Sequence, residues 1–358
     1  DGARIASSGP SMERFREPLL LVPAALIAAL ACSCASAPGT PLCRTPRAPG
    51  ECWEQLRPLG SGGFPAEPGS NDEPKWSPGK FPLTLFPVPA FAGDLWMISQ
   101  THAFSSPDGL NWTQHDKASW RERISQSFAY FQDRLWMFGG LEYQTRRPLN
   151  DIWSSTDGVH WQQAGIADWP PRKAAAVVVF RGKLWLFGGT SEVDGQFNPV
   201  RMLNDVWSSD DGVHWTEVSS AAPWSARDGP VLVVLADQLF LLGGQGEADV
   251  WRSTDGLTWT ELGASAPWGG GRKGFGGEAF AGKLWVFGGF VGASTHSVND
   301  VWSSVDGMSW TRQTERAPWG PRSPRSVVYR DRLWIFSGKH TGGDDNWGGD
   351  IWVMHPAP

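Results

Sequence analysis

The sequence predicts an all-β fold built from six copies of one four-stranded unit, and three observations predict it. The 358 residues include 43 Gly and 28 Pro, a density of turn formers that disfavours a helical bundle. With 41% hydrophobic and 12% aromatic residues, 23 Trp among them, the chain has ample material for a core, which disfavours disorder. An apolar strand motif that ends in small residues recurs along the chain about every 48 residues, the range of stacked or ringed repeats.

The N-terminal part stands outside this pattern. Residues 1–11 precede Met12 and are read as upstream of the start. Over 12–31 a charged segment (Glu13, Arg14, Arg16) leads into an apolar run to Ala31. The run is too short for a bilayer span and reads as a signal peptide. Ala29-Leu30-Ala31-Cys32 resembles a lipobox, which would make Cys32 a lipidated first residue. Ala35-Ser36-Ala37 offers ordinary cleavage instead, although Pro38 follows directly. The expected location is therefore exported: an outer-membrane or cell-surface lipoprotein, or a periplasmic or secreted protein, touching a membrane only through such an anchor. Residues 32–51 read as a Pro-rich tether. All four Cys (Cys32, Cys34, Cys43, Cys52) lie in the first 52 residues, so no thiol is available for chemistry further on, and their pairing is open.

Residues 52–358 carry the repeats. The first motif reads LWMISQ from Leu95, LWMFGG from Leu135, LWLFGG from Leu184, LFLLGG from Leu239, LWVFGG from Leu284 and LWIFSG from Leu333. The second reads FSSPDGLNWT from Phe104, then DIW or DVW from Asp151, Asp205, Asp249, Asp300 and Asp350. Each unit predicts strands A to D. Strand A is an apolar run such as residues 174–180, strand B the LW motif and strand C the DVW segment. An Asp-Gly turn, expected to be a two-residue hairpin with both residues at positive φ, leads to strand D. The sixth unit ends before its D strand, and Cys52-Trp53-Glu54-Gln55-Leu56 resembles the missing one. An N-terminal strand completing the last unit predicts a closed six-bladed β-propeller.

These residues resemble the kelch-repeat family, whose members include galactose oxidase and a periplasmic sialic acid epimerase. The resemblance implies the fold and leaves the activity open. The copper site of galactose oxidase needs two Tyr, two His and a cross-linked Cys. This chain offers only Tyr130, Tyr143 and Tyr329, with Cys52 alone in the closing strand, so no cofactor is expected. Sialidase Asp-boxes are matched one residue short, by Ser155-Thr156-Asp157-Gly158, without the catalytic pair. An enzyme of the epimerase kind would need acid/base groups, for which Glu142, Glu192 and Glu247 are candidates.

Sorted on the repeat, 22 Trp fall at recurring positions in strands B, C and D and in the D–A loops, which assigns them to packing between blades. Only Trp347 stands outside, as a candidate surface contact. Arg123, Arg172, Arg227, Arg272 and Arg322 follow the loop Trp residues on the face that carries the B–C loops, which run from four to fourteen residues. Two readings of these arginines remain open: a ring that holds a carboxylate ligand, or a clamp within each blade onto Asp151, Asp205, Asp249, Asp300 and Asp350. No metal site is expected from the seven His, which show no ligand spacing. His340 with Asp344 and Asp345 is read as a solvated loop. The net charge of −6 gives no reason for a nucleic-acid partner. Together these readings expect a non-enzymatic binding module for a protein or an anionic glycan.

Overall fold

The structure, a computed structural model, describes residues 53–57, 86–91, 93–292, 296–339 and 350–356. Cys32 and the rest of the leader and tether, His340 with Asp344 and Asp345, and Trp347 lie outside the described residues. Six antiparallel sheets are present, and no helix occurs among the described residues. Blade 1 runs from Phe86–Phe91 to Thr113–Lys117, blade 2 from Arg123–Ile124 to Gln162–Ile166 and blade 3 from Ala176–Phe180 to Thr216–Ser219. Blade 4 spans Val231–Leu235 to Trp259–Gly263, and blade 5 Arg272–Lys273 to Trp310–Thr314. Blade 6 comprises Ser323–Tyr329, Arg332–Lys339 and Ile351–Met354, with Trp53–Arg57 paired to the last of these in the register Trp53↔Met354. Each innermost strand lies beside those of its two flanking blades, blade 6 beside blade 1, so the A strands surround a central axis.

Strand A of blade 3 begins at Ala176, two residues later than the sequence suggests. Ala174 is left-handed, with φ of 52°, and its N–H leaves the sheet to donate to the Ser125 carbonyl of blade 2 at 2.7 Å. The turns also differ from expectation. The two-residue hairpins with both residues at positive φ are the A–B turns, such as Gln132-Asp133, Arg181-Gly182, Ala236-Asp237 and Ala281-Gly282. In the Asp-Gly connections only the glycine has positive φ. There the Asp157 carboxylate accepts from the N–H groups of Val159 and His160, while the Ser155 hydroxyl accepts from Gly158. A side chain thus replaces the backbone bonds of a tight hairpin, which lets the connection run longer.

The repeated Trp residues are fixed by repeated hydrogen bonds. Strand-B indoles donate to the carbonyl five residues earlier, as Trp136 does to Phe131 and Trp185 to Phe180. Strand-D indoles donate to the hairpin glycine, as Trp161 does to Gly158. Loop and strand-D rings of neighbouring blades then meet nearly at right angles: Trp120 with Trp161, Trp224 with Trp259, Trp268 with Trp310 and Trp319 with Trp53, the last pair 4.6 Å apart. Such edge-to-face pairs add roughly 1 kcal/mol each beyond the area they bury. Trp76 lies outside the described residues.

Candidate functional site

Antiparallel order places the A–B turns and the Asp-Gly connections at one end of the ring, and the D–A and B–C loops at the other. Unequal loops on a repetitive scaffold are where recognition resides, so the second end is the candidate face.

The five arginines predicted for that face are not presented by it. Arg123, Arg172, Arg227, Arg272 and Arg322 are all buried. Each guanidinium holds both carboxylate oxygens of its strand-C aspartate, Arg123 on Asp151, Arg172 on Asp205, Arg227 on Asp249, Arg272 on Asp300 and Arg322 on Asp350. The same Asp accepts the strand-C indole, as Asp205 does from Trp207 at 2.8 Å. In four blades the guanidinium also donates to the first glycine of the Gly-Gly pair. The backbone carbonyl of Arg172 accepts from Gly140 of blade 2, and that of Arg227 from Gly189 of blade 3. Of the two readings, the structure has the clamp within the blade, and the clamp is tied to its neighbour through the backbone.

What the face does present is uneven. The B–C hairpins of blade 3, Lys183–Val193 with Pro199–Ser209, of blade 2, Arg134–Glu142 with Pro148–Ser155, and of blade 5, Lys283–Val291 with Ser297–Ser304, are long, whereas blade 4 turns directly from Gly244 to Glu247. The tips of blades 2 and 3 meet. Tyr143 stacks on Phe197 with ring centroids 5.8 Å apart, and the Arg146 guanidinium lies 4.9 Å from the Phe197 centroid. Arg146 also donates to the Gly195 carbonyl. At their base, Glu142 accepts from Arg121 at 3.0 Å and from Thr145. The Thr145 hydroxyl and then Arg121 hold its carboxyl below the usual carboxylate range. A group so held is a poor proton donor at neutral pH. Glu192 lies 3.7 Å from Arg201, and Glu247 sits in the short blade 4 turn, so the three carboxylates singled out for acid/base work are not brought together.

No protein-family profile matches the chain, and no curated protein matches it. Among solved structures, the one titled "Structure of YjhT" superposes with a TM-score of 0.63 over 77% of this chain and 96% of that one, at 15% identity. The fold is a six-bladed β-propeller. At that identity the likeness is one of fold alone.

One residue of this propeller escaped the motif-based reading. Glu278 lies on the innermost strand of blade 5, paired with Trp285. The equivalent partners of the strand-B aromatic in other blades are Ala129, Val178, Val233 and Val327. Its carboxylate accepts from the Ser326 hydroxyl of blade 6 at 3.0 Å, and burial pushes its pKa up to about 7. The signal was a carboxylate standing where the repeat has a small apolar residue. Blade-level alignment hides such an exception when only the LW and DVW motifs are compared. Among the described residues no three His, Cys, Asp or Glu side chains gather as a metal site requires.

Proposed function

We propose that this protein is an exported, non-enzymatic kelch propeller that binds a protein or an anionic glycan on the face carrying the B–C loops. The observation that supports this reading is the asymmetry of that face. Five blades repeat one clamp, while the B–C hairpins range from a direct turn in blade 4 to long hairpins in blades 2, 3 and 5, and those of the adjacent blades 2 and 3 are joined tip to tip, an addition that the ring does not need for its own packing. Because the clamp arginines are saturated by aspartate, ligand contact falls to the hairpin side chains. The test is to probe the full chain against arrays of acidic and neutral glycans and of peptides. A variant whose tip residues 143–146 are replaced by Asn-Gly should stay folded, with only the small loss in melting temperature that the tip contacts account for, and lose its signal. Signal retained in that variant would move the binding surface elsewhere.

A second reading, a carbohydrate-active enzyme of the epimerase kind, is favoured by Glu278 alone. A carboxylic acid that titrates near neutrality on the channel wall is suited to proton transfer. Incubating the protein with sialic acid and following the anomer ratio tests this reading, with Glu278→Gln as the control.

A further inference from the structure

We propose that the joined hairpin tips of blades 2 and 3 form a platform for an acidic saccharide, with Tyr143 as the stacking surface and Arg147 as a carboxylate partner. This rests on the reading that the loop face binds ligand, and it names the place and the ligand class.

The first argument is exposure. Large apolar or aromatic side chains left in water among the described residues are Tyr143, Ile166, Val200, Leu257, Val305 and Met308, and Tyr143 is the one aromatic among them, 46% exposed. It is also held in place, since its ring lies within 20° of parallel to Phe197. A ring fixed in this way loses little freedom when a ligand stacks on it, which is the condition for a preorganised contact.

The second argument is backbone strain on both sides of the contact. Arg146 has φ of 58° and Phe197 has φ of 67°. Left-handed geometry is strained for a residue with a side chain. The geometry brings Arg146 and Phe197 together across the gap between two blades, and blade 4 reaches the same ring without any such tip.

The third argument is charge. The carboxylates of the tips are already engaged, Glu142 by Thr145 and Arg121, and Asp194 by the N–H groups of Gln196 and Asn198 and the Asn198 amide. Glu192 faces Arg201. Asp194 stays ionised and is offset by the nearby Arg146, while the side chain of Arg147 is exposed and has no partner among the described residues, so the uncompensated charge of the tips is positive on a chain of net charge −6. Guanidinium groups match carboxylates. The exposed amides of Gln144 and Gln196 suit hydroxyl groups. A flat exposed ring, amides and a free guanidinium together fit a pyranose carrying a carboxylate. A protein partner would require a broader apolar patch, because stable interfaces bury about 800 Å² per side around an apolar core.

The test is isothermal titration calorimetry of the full chain with trigalacturonic acid, its methyl ester and hexaglutamate. The acid should bind, and the ester should bind at least about fivefold more weakly. Tyr143→Ala and Arg147→Ala should each weaken binding of the acid about tenfold, a loss of the size single anchors carry, with the melting temperature unchanged in Arg147→Ala and lowered only slightly in Tyr143→Ala, which also loses its stack on Phe197. If the acid binds the wild type and both variants equally, the platform is overturned while the loop face survives as a binding surface. If hexaglutamate binds and the saccharide does not, the ligand class is overturned. If neither probe binds and the arrays are blank, the underlying reading of the face falls as well.

Discussion

Arg172 grips Asp205 through two hydrogen bonds of 2.7 Å, one to each carboxylate oxygen, in a site where both residues are buried. A buried pair of this kind contributes little net stability over an apolar pair, yet removing one partner strands the other charge. Arg172→Ala should therefore destabilise the protein by about 3–5 kcal/mol. The double variant Arg172→Met with Asp205→Leu should lose less, with the indole N–H of Trp207 and the carbonyls of Gly188 and Pro170 each losing a hydrogen-bond partner. Urea melts of the two variants check this, and equal losses would show that the clamp acts through packing alone. Ligand binding by the folded fraction of Arg172→Ala should be unchanged.

Where blades meet at the opposite end, Gly158 of blade 2 sits on Trp96 of blade 1 with φ of 77°, and a Cβ there would stand 2.6 Å from the ring. Gly182 has φ of 73° and nothing within 4 Å of its would-be Cβ. At both positions Ala would be held at a positive φ that a Cβ disfavours, but only the first also overpacks an inter-blade contact. Gly182→Ala should cost about 1 kcal/mol, and Gly158→Ala about 2–4 kcal/mol once overpacking is added. Thermal melts of the two variants separate the terms, and equal shifts would mean that Trp96 moves aside freely.

Ala281 occupies the first position of a two-residue A–B hairpin, with φ of 49°, followed by Gly282 at 73°. Asn is the preferred residue at that position, because its short polar side chain tolerates the left-handed region. Ala281→Asn should stabilise the protein by about 0.5–1 kcal/mol. A rise in the denaturation midpoint at unchanged m-value is the expected result. No change would show that the Ala conformer carries little strain here.

The blades were legible in the sequence because propeller packing is periodic: the LW motif ends in Gly-Gly, where a guanidinium and the next blade's backbone both bond, and DVW places an aspartate beside its own indole. The Arg–Asp pairing was legible as one of two options, since the first unit lacks both partners in its sequence motifs. Sequence order cannot tell a buried guanidinium from a presented one, and burial decided between them. The Asp-Gly turns misled because Asp157 bonds through its side chain, which the dipeptide alone does not reveal. Tyr143 and Phe197 lie 54 positions apart in loops outside the repeat, so no spacing rule links them; the contact exists only once two blades stand side by side.

Glu278 gives the propeller a pH dependence of definite sign. Its pKa in the folded protein, about 7, lies above its ordinary value of 4.5, and burial is the first cause, with the hydrogen bond from Ser326 pulling weakly the other way. The folded state therefore holds this proton more tightly than the unfolded chain does. The resulting stabilisation is complete below about pH 4.5, declines as the unfolded chain ionises, and is lost by the time pH passes 7. Over that window the group should contribute about 3 kcal/mol of change, at about 1.4 kcal/mol per pH unit. Glu278→Gln cannot ionise and keeps an amide that can bond the Ser326 hydroxyl, so the variant should match the wild type near pH 5 and exceed it in stability at pH 8. Urea unfolding at the two pH values makes the comparison directly. A variant less stable than the wild type at pH 8 would mean that the carboxylate has a cationic or hydrogen-bonding partner strong enough to outweigh its burial.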